Sequence, residues 1–366
     1  MIRILDWYIA RTLLGTVTVT LSVLIGLSAL IKFVEQLRKV GEGNYDMLAA
    51  LVYVLLSLPR DLEQFFPMAV LLGGLIGMGV LASNSELVVM QAAGLSRWNL
   101  ITSAMKSAVV MIIVVMAVGE WITPVSESRA KELRTEAITG GSLFSSDKYV
   151  WAKDGDHFVS IGQVMSRDSL QEVTIYRFND GLQLDSITNA NGGFYEQNGW
   201  TLTQVTHTYF SADAITADVQ PTWRWDSSLT PDKLGIVTVK PEALSIQGLQ
   251  EYITYRANNK QDTSRYELAL WRKVLQPVTV SVMLLMALSF IFGPLRSVTM
   301  GARIIMGVLT GFGFFITNEV FGPLSLVYNI PPVLGALLPS ILFAAVATAL
   351  LSRYIKGSES EGSPRI

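Results

Sequence analysis

Nine cations, Lys32, Arg38, Lys39, Arg60, Arg129, Lys131, Arg134, Arg272 and Lys273, stand beside the ends of long apolar segments. Guanidinium groups grip phosphate through paired hydrogen bonds, and ammonium groups bind it as point charges. Gathered at one membrane face, the set would suit an anionic headgroup; taken singly, each is a snorkelling or solvated side chain. A second set lies in Ser83-Asn84-Ser85-Glu86-Leu87-Val88-Val89-Met90-Gln91-Ala92-Ala93-Gly94-Leu95-Ser96. Ser83 can cap a short helix over 84–95, Glu86 stands in its first turn and Gly94 can close it. A helix this apolar needs a groove on a partner or a lipid surface, and only Arg97 offers the basic face usual for the latter.

Other chemistries lack their residues. There is no Gly-x-x-x-x-Gly-Lys-Ser/Thr phosphate loop, no His-Glu-x-x-His zinc pattern and no Gly-x-Ser-x-Gly elbow. Without cysteine there is no disulfide, thiolate nucleophile or Cys-ligated metal. His157 and His207 read as ordinary strand or loop residues, with no partner histidine at ligand spacing. Glu120 and Glu319 lie near outer span ends and Lys106 can snorkel inward from the third span, without the facing acidic set that a proton relay requires. The reading therefore contains no catalytic residue and no metal ligand, and a net charge of -2 excludes a globally basic nucleic-acid binder.

The elements that must position the cations are membrane helices. Half of the 366 residues are hydrophobic, 16% are charged, and the mean hydropathy is +0.40, far from a soluble domain. Residues 12–31 are uncharged throughout and long enough to cross a core about 30 Å thick; they exceed a leader's apolar region, and Lys32-Phe33-Val34 follows instead of a cleavage site. Further spans are predicted over 61–82, 99–122, 268–292, 304–326 and 332–352, with bends at Pro277, Pro323 and Pro339. The apolar run 47–58 is too short to cross and ends at Pro59, so a half-buried helix at the membrane face is expected. Arg3, Arg11, Arg97, Arg296, Arg303, Arg353, Lys356 and Arg365 share one side, which places both termini in the cytoplasm and residues 124–266 outside. Gly73-x-x-x-Gly77 and Gly307-x-x-x-Gly311 allow close helix approach, within this chain or with a second subunit.

Residues 143–225 alternate with period two, as in His157-Phe158-Val159-Ser160-Ile161, and Asn179-Asp180-Gly181 and Asn198-Gly199 are hairpin signals. A sandwich, jelly roll or open barrel fits. A helix after Leu244-Ser245-Ile246 would present Leu249, Tyr252 and Ile253 on one face, and the polar 258–262 link would tether it to the fourth span. The division is 1–123 for three spans, 124–266 for the outer β-domain, 267–353 for three more spans and 354–366 for a cytoplasmic tail, disordered from Gly357.

Ser85-Glu86-Leu87-Val88-Val89-Met90-Gln91-Ala92-Ala93-Gly94 resembles the coupling helix of the LptF/LptG permease family. The resemblance extends through Ile31-Lys32-Phe33-Val34-Glu35-Gln36-Leu37, Phe65-Phe66-Pro67-Met68, Gly119-Glu120-Trp121, Gly140-Gly141-Ser142-Leu143, Trp151-Ala152-Lys153-Asp154-Gly155, Leu229 to Gly235 and Ala287 to Arg296, nearly the whole chain. It implies six transmembrane helices in a 3+3 arrangement with an inserted periplasmic β-jelly roll, in the inner membrane of a Gram-negative bacterium. It implies an ABC exporter of lipopolysaccharide with LptF as membrane heterodimer partner, an LptB dimer that hydrolyses ATP with Mg, LptC, and a bridge to LptA. Lipopolysaccharide phosphates and core sugars would be met by Lys32, Arg60, Lys131 and Arg134, and also by Arg38, Lys39 and Lys273. ATPase coupling would fall to Glu86, Leu87, Val88, Met90, Ala93 and Gly94. The competing expectations are a permease for another envelope lipid or for lipoproteins, and an envelope-sensing receptor, for which no inner segment is long enough to form a signalling domain.

Overall fold

The computed structural model describes residues 4–139, 149–155, 157–166, 168–179, 181, 183–196, 199–211, 214–231, 240–293 and 298–360. Several sequence features lie outside them: Gly140-Gly141-Ser142-Leu143, Asp180, Asn198, residues 232–235 and 294–296, and the end of the tail, 361–366. The first helices are α1 (Ile4–Leu37), α2 (Met47–Ser83), α3 (Glu86–Ala92), α4 (Arg97–Ala117) and, after a π-helical turn at Val118–Ile122, α5 (Thr123–Thr139). Strands β1 (Val150–Asp154), β2 (His157–Ser166), β3 (Ser169–Phe178), β4 (Leu184–Glu196), β5 (Gly199–Phe210) and β6 (Ile215–Trp225) follow. The chain continues through α6 (Ile246–Asn258), α7 (Ser264–Val274), α8 (Gln276–Phe292), α9 (Met300–Val327) and α10 (Pro332–Ser360). Among the described residues, five helical stretches are long and apolar enough to cross a membrane, and α7 with α8, bent by 53° at their junction, makes a sixth when counted as one span.

Two expectations change. Residues 47–58 are no separate helix, because α2 runs unbroken through Pro59 and Pro67. A proline removes one backbone donor, which an apolar helix tolerates when its neighbours re-satisfy the freed carbonyl. Ala50, Val54 and Ser57 are buried while Leu48, Leu51 and Leu55 are exposed, so this turn of α2 already carries a helical stripe. The tail is helical to Ser360 rather than irregular from Gly357.

Packing divides the chain into two compact units. One comprises Met1–Ile31, Leu58–Thr123 and Glu267–Ile366. Helix α2 is its centre: 67% of its most apolar window is buried, against 6% for α1. Leu71, Leu75, Met78 and Leu81 share a core with Met283, Leu284, Ala287 and Leu288 of α8. Both small-residue ladders pack inside this chain. A Cβ on Gly73 would lie 2.5 Å from the Val17 Cα, and Thr16 Oγ1 donates to the Gly73 carbonyl at 2.8 Å. Gly307 and Gly311 of α9 lie against Leu75 and Met68 of α2.

The other unit is Lys32–Ser57 with Pro124–Tyr266. Its six strands form one antiparallel sheet in chain order, each pairing with the next. Side chains alternate across the pleat, which puts Val159, Ile161, Val173 and Ile175 on the buried face; on β5 the irregularity at Gln204, φ +52, shifts the alternation, so Trp200 and Leu202 before it and Val205 after it face the same core. The Asn179 carboxamide oxygen accepts from the backbone amides of Gly181 and Gln183 at 3.0 and 2.9 Å, which shapes the β3–β4 turn. Helix α6 starts at Ser245, whose hydroxyl accepts from the Gly248 amide at 3.0 Å. It buries Leu249, Tyr252 and Tyr255, with Ile253 only half-buried. Tyr255 donates to the Lys153 carbonyl at 2.8 Å, and burial pushes its phenol up.

Candidate functional site

Five of the seven cations assigned to lipid belong to the unit that carries the sheet. Lys32 is on the last turns of α1, Arg38 and Lys39 begin the loop to α2, and Lys131 and Arg134 are on α5. That loop is tied to α5: the Asn44 amide donates to the Ala137 carbonyl at 2.7 Å. Gly43, at φ +54, approaches so closely that a Cβ would lie 2.5 Å from the Ile138 carbonyl oxygen. Tyr45 is buried beneath the loop with its hydroxyl 3.3 Å from Gln36 Oε1, and burial pushes its phenol up. The Arg134 guanidinium lies 5.4 Å from the centroid of the Tyr53 ring, a cation–π contact that holds it on one side of α5. Arg38 is exposed, and Lys32, Lys39, Lys131 and Arg134 are half-buried.

Arg60 and Lys273 belong to the helical unit and differ in kind. Arg60 is half-buried on α2. Lys273 is 8% exposed, and its ammonium donates to the Gly119 carbonyl at 2.9 Å and meets Glu63 Oε1 at 3.5 Å. Lys273, expected at the lipid phosphates, thus has its charge held between a neighbouring carboxylate and a carbonyl inside the helical unit. Glu63 escaped the sequence reading. Its only local signal was Pro67, four residues on, which leaves the Glu63 carbonyl without its helical donor; Gln276 Nε2 fills that place at 3.3 Å.

Helix α3 is shorter than expected, Glu86–Ala92, and the residue before it is Ser85, in left-handed conformation without a side-chain cap. Ser83 remains inside α2 and donates to the Val80 carbonyl at 2.9 Å, so it does not cap α3. Gly94, at φ +91, follows the helix end as the glycine suggested. The six residues expected to couple to an ATPase separate by face. Leu87 and Met90 are buried in the helical core, whereas Val88 is 51% exposed and its neighbour Val89 66%; Ala93 and Gly94 are exposed as well. Glu86 Oε2 accepts from the Tyr8 hydroxyl at 2.7 Å and Oε1 from Asn84 Nδ2 at 3.3 Å. Tyr8 was invisible in sequence, being 78 positions away. Lys106, expected to snorkel, pairs with Asp6 at 3.3 Å.

Elsewhere in the sheet unit a polar cavity of about 840 Å³ is lined by Asp154, His157, Arg177, Asp185, Asp226 and Asn259, among others. None of the predicted site residues lines it. Hydrogen bonds of the fold frame it, from the Gly155 amide to Asn259 Oδ1 at 2.6 Å and from the Ser228 amide to Asp154 Oδ1 at 3.0 Å. His207 is buried with Nδ1 2.9 Å from the Thr188 hydroxyl.

Residues 7–353 match the family model described as lipopolysaccharide export system permease LptF/LptG. The chain is 48% identical over 355 residues to lipopolysaccharide export system permease protein LptG of Haemophilus influenzae, covering 96% of this chain and 99% of that one. It is 47% identical over 353 residues to the protein of the same name in Escherichia coli K12, covering 96% and 98%. To lipopolysaccharide export system permease protein LptF of Escherichia coli K12 it is 30% identical over 163 residues, 44% of each chain. A multi-pass helical chain with an inserted antiparallel sheet, matched over nearly its whole length, belongs to the LptF/LptG family of lipopolysaccharide export system permeases.

Proposed function

We propose that this chain is the LptG-type membrane subunit of an exporter that takes lipopolysaccharide from the outer leaflet of the inner membrane and passes it to a periplasmic β-bridge. The observation that carries this reading is the near-full-length similarity to relatives named as lipopolysaccharide export permeases. Both termini would be cytoplasmic and the sheet periplasmic, following the distribution of arginine and lysine. Lys32, Arg38, Lys39, Arg60, Lys131 and Arg134 meet the lipid phosphates, and guanidinium suits that task because its fork matches two phosphate oxygens. An LptF-type chain completes the lipid cavity, while LptC and LptA continue the route away from the membrane.

Energy comes from a separate LptB-type ATPase dimer, which holds ATP and Mg and docks on the exposed side of α3. Nucleotide states that favour different bundle conformations then narrow the cavity and expel the lipid. Purification of the chain with its co-expressed neighbours, followed by mass spectrometry of bound lipid, tests the reading. Lipopolysaccharide and a co-purifying ATPase are expected; phospholipid alone, with no ATPase, would overturn it. The triple variant Arg60→Ala, Lys131→Ala, Arg134→Ala should lower photo-crosslinking to lipopolysaccharide more than to a neutral lipid, and equal loss would refute the phosphate role.

A further inference from the structure

Three side chains around the break between α7 and α8 reach backbone carbonyls on three neighbouring elements. Arg272 donates to the Asn318 carbonyl of α9, Lys273 to Gly119 in the π-helical turn at 2.9 Å, and Gln276 to Glu63 of α2 at 3.3 Å. Local geometry makes room for each bond. Pro67 leaves the Glu63 carbonyl without its helical donor, and the π turn, which shifts the register of the ladder, presents the Gly119 carbonyl. Gly322 leaves space for Arg272, since a Cβ there would collide with the guanidinium Nη2.

The centre of this hub is charged. The side chains of Lys273 and Glu63 are 7% and 13% exposed, and Gly119 packs so tightly on the carboxylate that a Cβ would lie 2.8 Å from its carbon. The ammonium meets one carboxylate oxygen, Oε1, at 3.5 Å, and Oε2 is buried without a hydrogen-bond partner among the described residues, so removing Lys273 would leave the carboxylate uncompensated away from water. The ion pair and the glycine contact at the same carboxylate add directional constraints on this turn of α2 that apolar packing between helices lacks. Arg60 lies three residues before Glu63 on α2, on the adjoining turn of the same face.

We propose that the Glu63–Lys273 pair is a positioning device for Arg60, setting the rotation of this turn of α2 so that the guanidinium meets the lipid phosphate. The inference rests on the lipid role given to Arg60 above. It reassigns Lys273 from lipid contact to control of a contact made by another residue.

The test uses the full chain with its co-expressed partner subunits in nanodiscs, titrated with fluorescent lipopolysaccharide and with its dephosphorylated form. Lys273→Met should weaken lipopolysaccharide binding several-fold, towards the value for Arg60→Ala, and leave binding of the dephosphorylated lipid unchanged. Arg60→Ala/Lys273→Met should bind no more weakly than Arg60→Ala alone, and Lys273→Arg should restore most of the affinity. Glu63→Gln/Lys273→Met removes both charges at nearly constant shape and serves if the single variant fails to assemble. Additive losses with Arg60→Ala would mean direct lipid contact by Lys273 and overturn the proposal. Equal loss for both lipids, wild-type binding in both pair variants, or failed assembly of both would also overturn it. An Arg60→Ala variant with wild-type affinity would remove its premise, whereas no lipopolysaccharide binding by the wild type would sink the proposed function itself.

Discussion

Replacing Val88 and Val89 with serine tests whether the exposed side of α3 is a docking surface. Fully burying a valine contributes at least about 1.5 kcal/mol. With 51% of Val88 and 66% of Val89 still exposed, about 0.8 and about 1.0 kcal/mol remain to be gained when a partner covers them. The double variant should forfeit about 1.8 kcal/mol, roughly a twenty-fold rise in Kd at about 1.4 kcal/mol per decade. Titrating the purified membrane subunits with the ATPase subunit measures it. The apparent Tm of the unliganded chain should stay within about 2 °C of wild type, because substitutions at exposed positions change stability by about 0.5 kcal/mol or less. Leu87→Ala should behave in the opposite way, since Leu87 is 4% exposed and its truncation costs about 2–5 kcal/mol of bundle stability. A Kd within two-fold of wild type for the valine variant, or a weaker Kd accompanied by a large fall in Tm, would refute the division of α3 into a packing face and a docking face.

Gly73→Ala should lower the apparent Tm more than Gly307→Ala, because the first meets the Val17 backbone and the second the tips of Leu75 and Leu72 side chains; overpacking against backbone costs about 1–3 kcal/mol, and differential scanning fluorimetry in detergent reads the order. Trp200→Phe removes the indole N–H that reaches the Leu229 carbonyl at 2.7 Å and leaves that buried acceptor unpaired, a loss of about 1–3 kcal/mol in the sheet unit, visible as faster proteolysis there at moderate urea. The Asp262 carboxyl is held below its ordinary range by hydrogen bonds from the Ser264 hydroxyl and amide. A depressed folded pKa contributes stability above the unfolded value and loses it as pH falls through the folded one. Asp262→Asn should therefore be less stable than wild type at neutral pH and converge with it in acid, as followed by thermal melts across pH.

Legibility tracked the range over which each determinant acts. Continuous apolar runs marked the spans, and a period of two marked the sheet, because burial of a helix or of one pleated face imposes those patterns on consecutive residues. Residues 47–58 were misplaced for a related reason. Proline signals a helix end by local rules, whereas α2 passes through it in surroundings where a neighbouring element can supply a donor. The basic residues were readable as a set, but position relative to a span end does not separate Arg38, which is exposed, from Lys273, which is buried against Glu63. Within α3 a seven-residue helix is too short for periodicity to tell the face of Leu87 and Met90 from that of Val88 and Val89.

From the amino-acid order alone came the class of molecule, the membrane-spanning segments and the inserted β-domain. All follow from hydropathy, charge and backbone preference read over a few neighbouring residues. Tertiary structure decided which cations are exposed and which are held in internal pairs, which glycines pack against which helix, and which valines of α3 stay exposed. Those outcomes depend on pairs such as Glu63 and Lys273, brought together from separate helices, where desolvation and Coulomb attraction act through space and leave no local pattern along the chain.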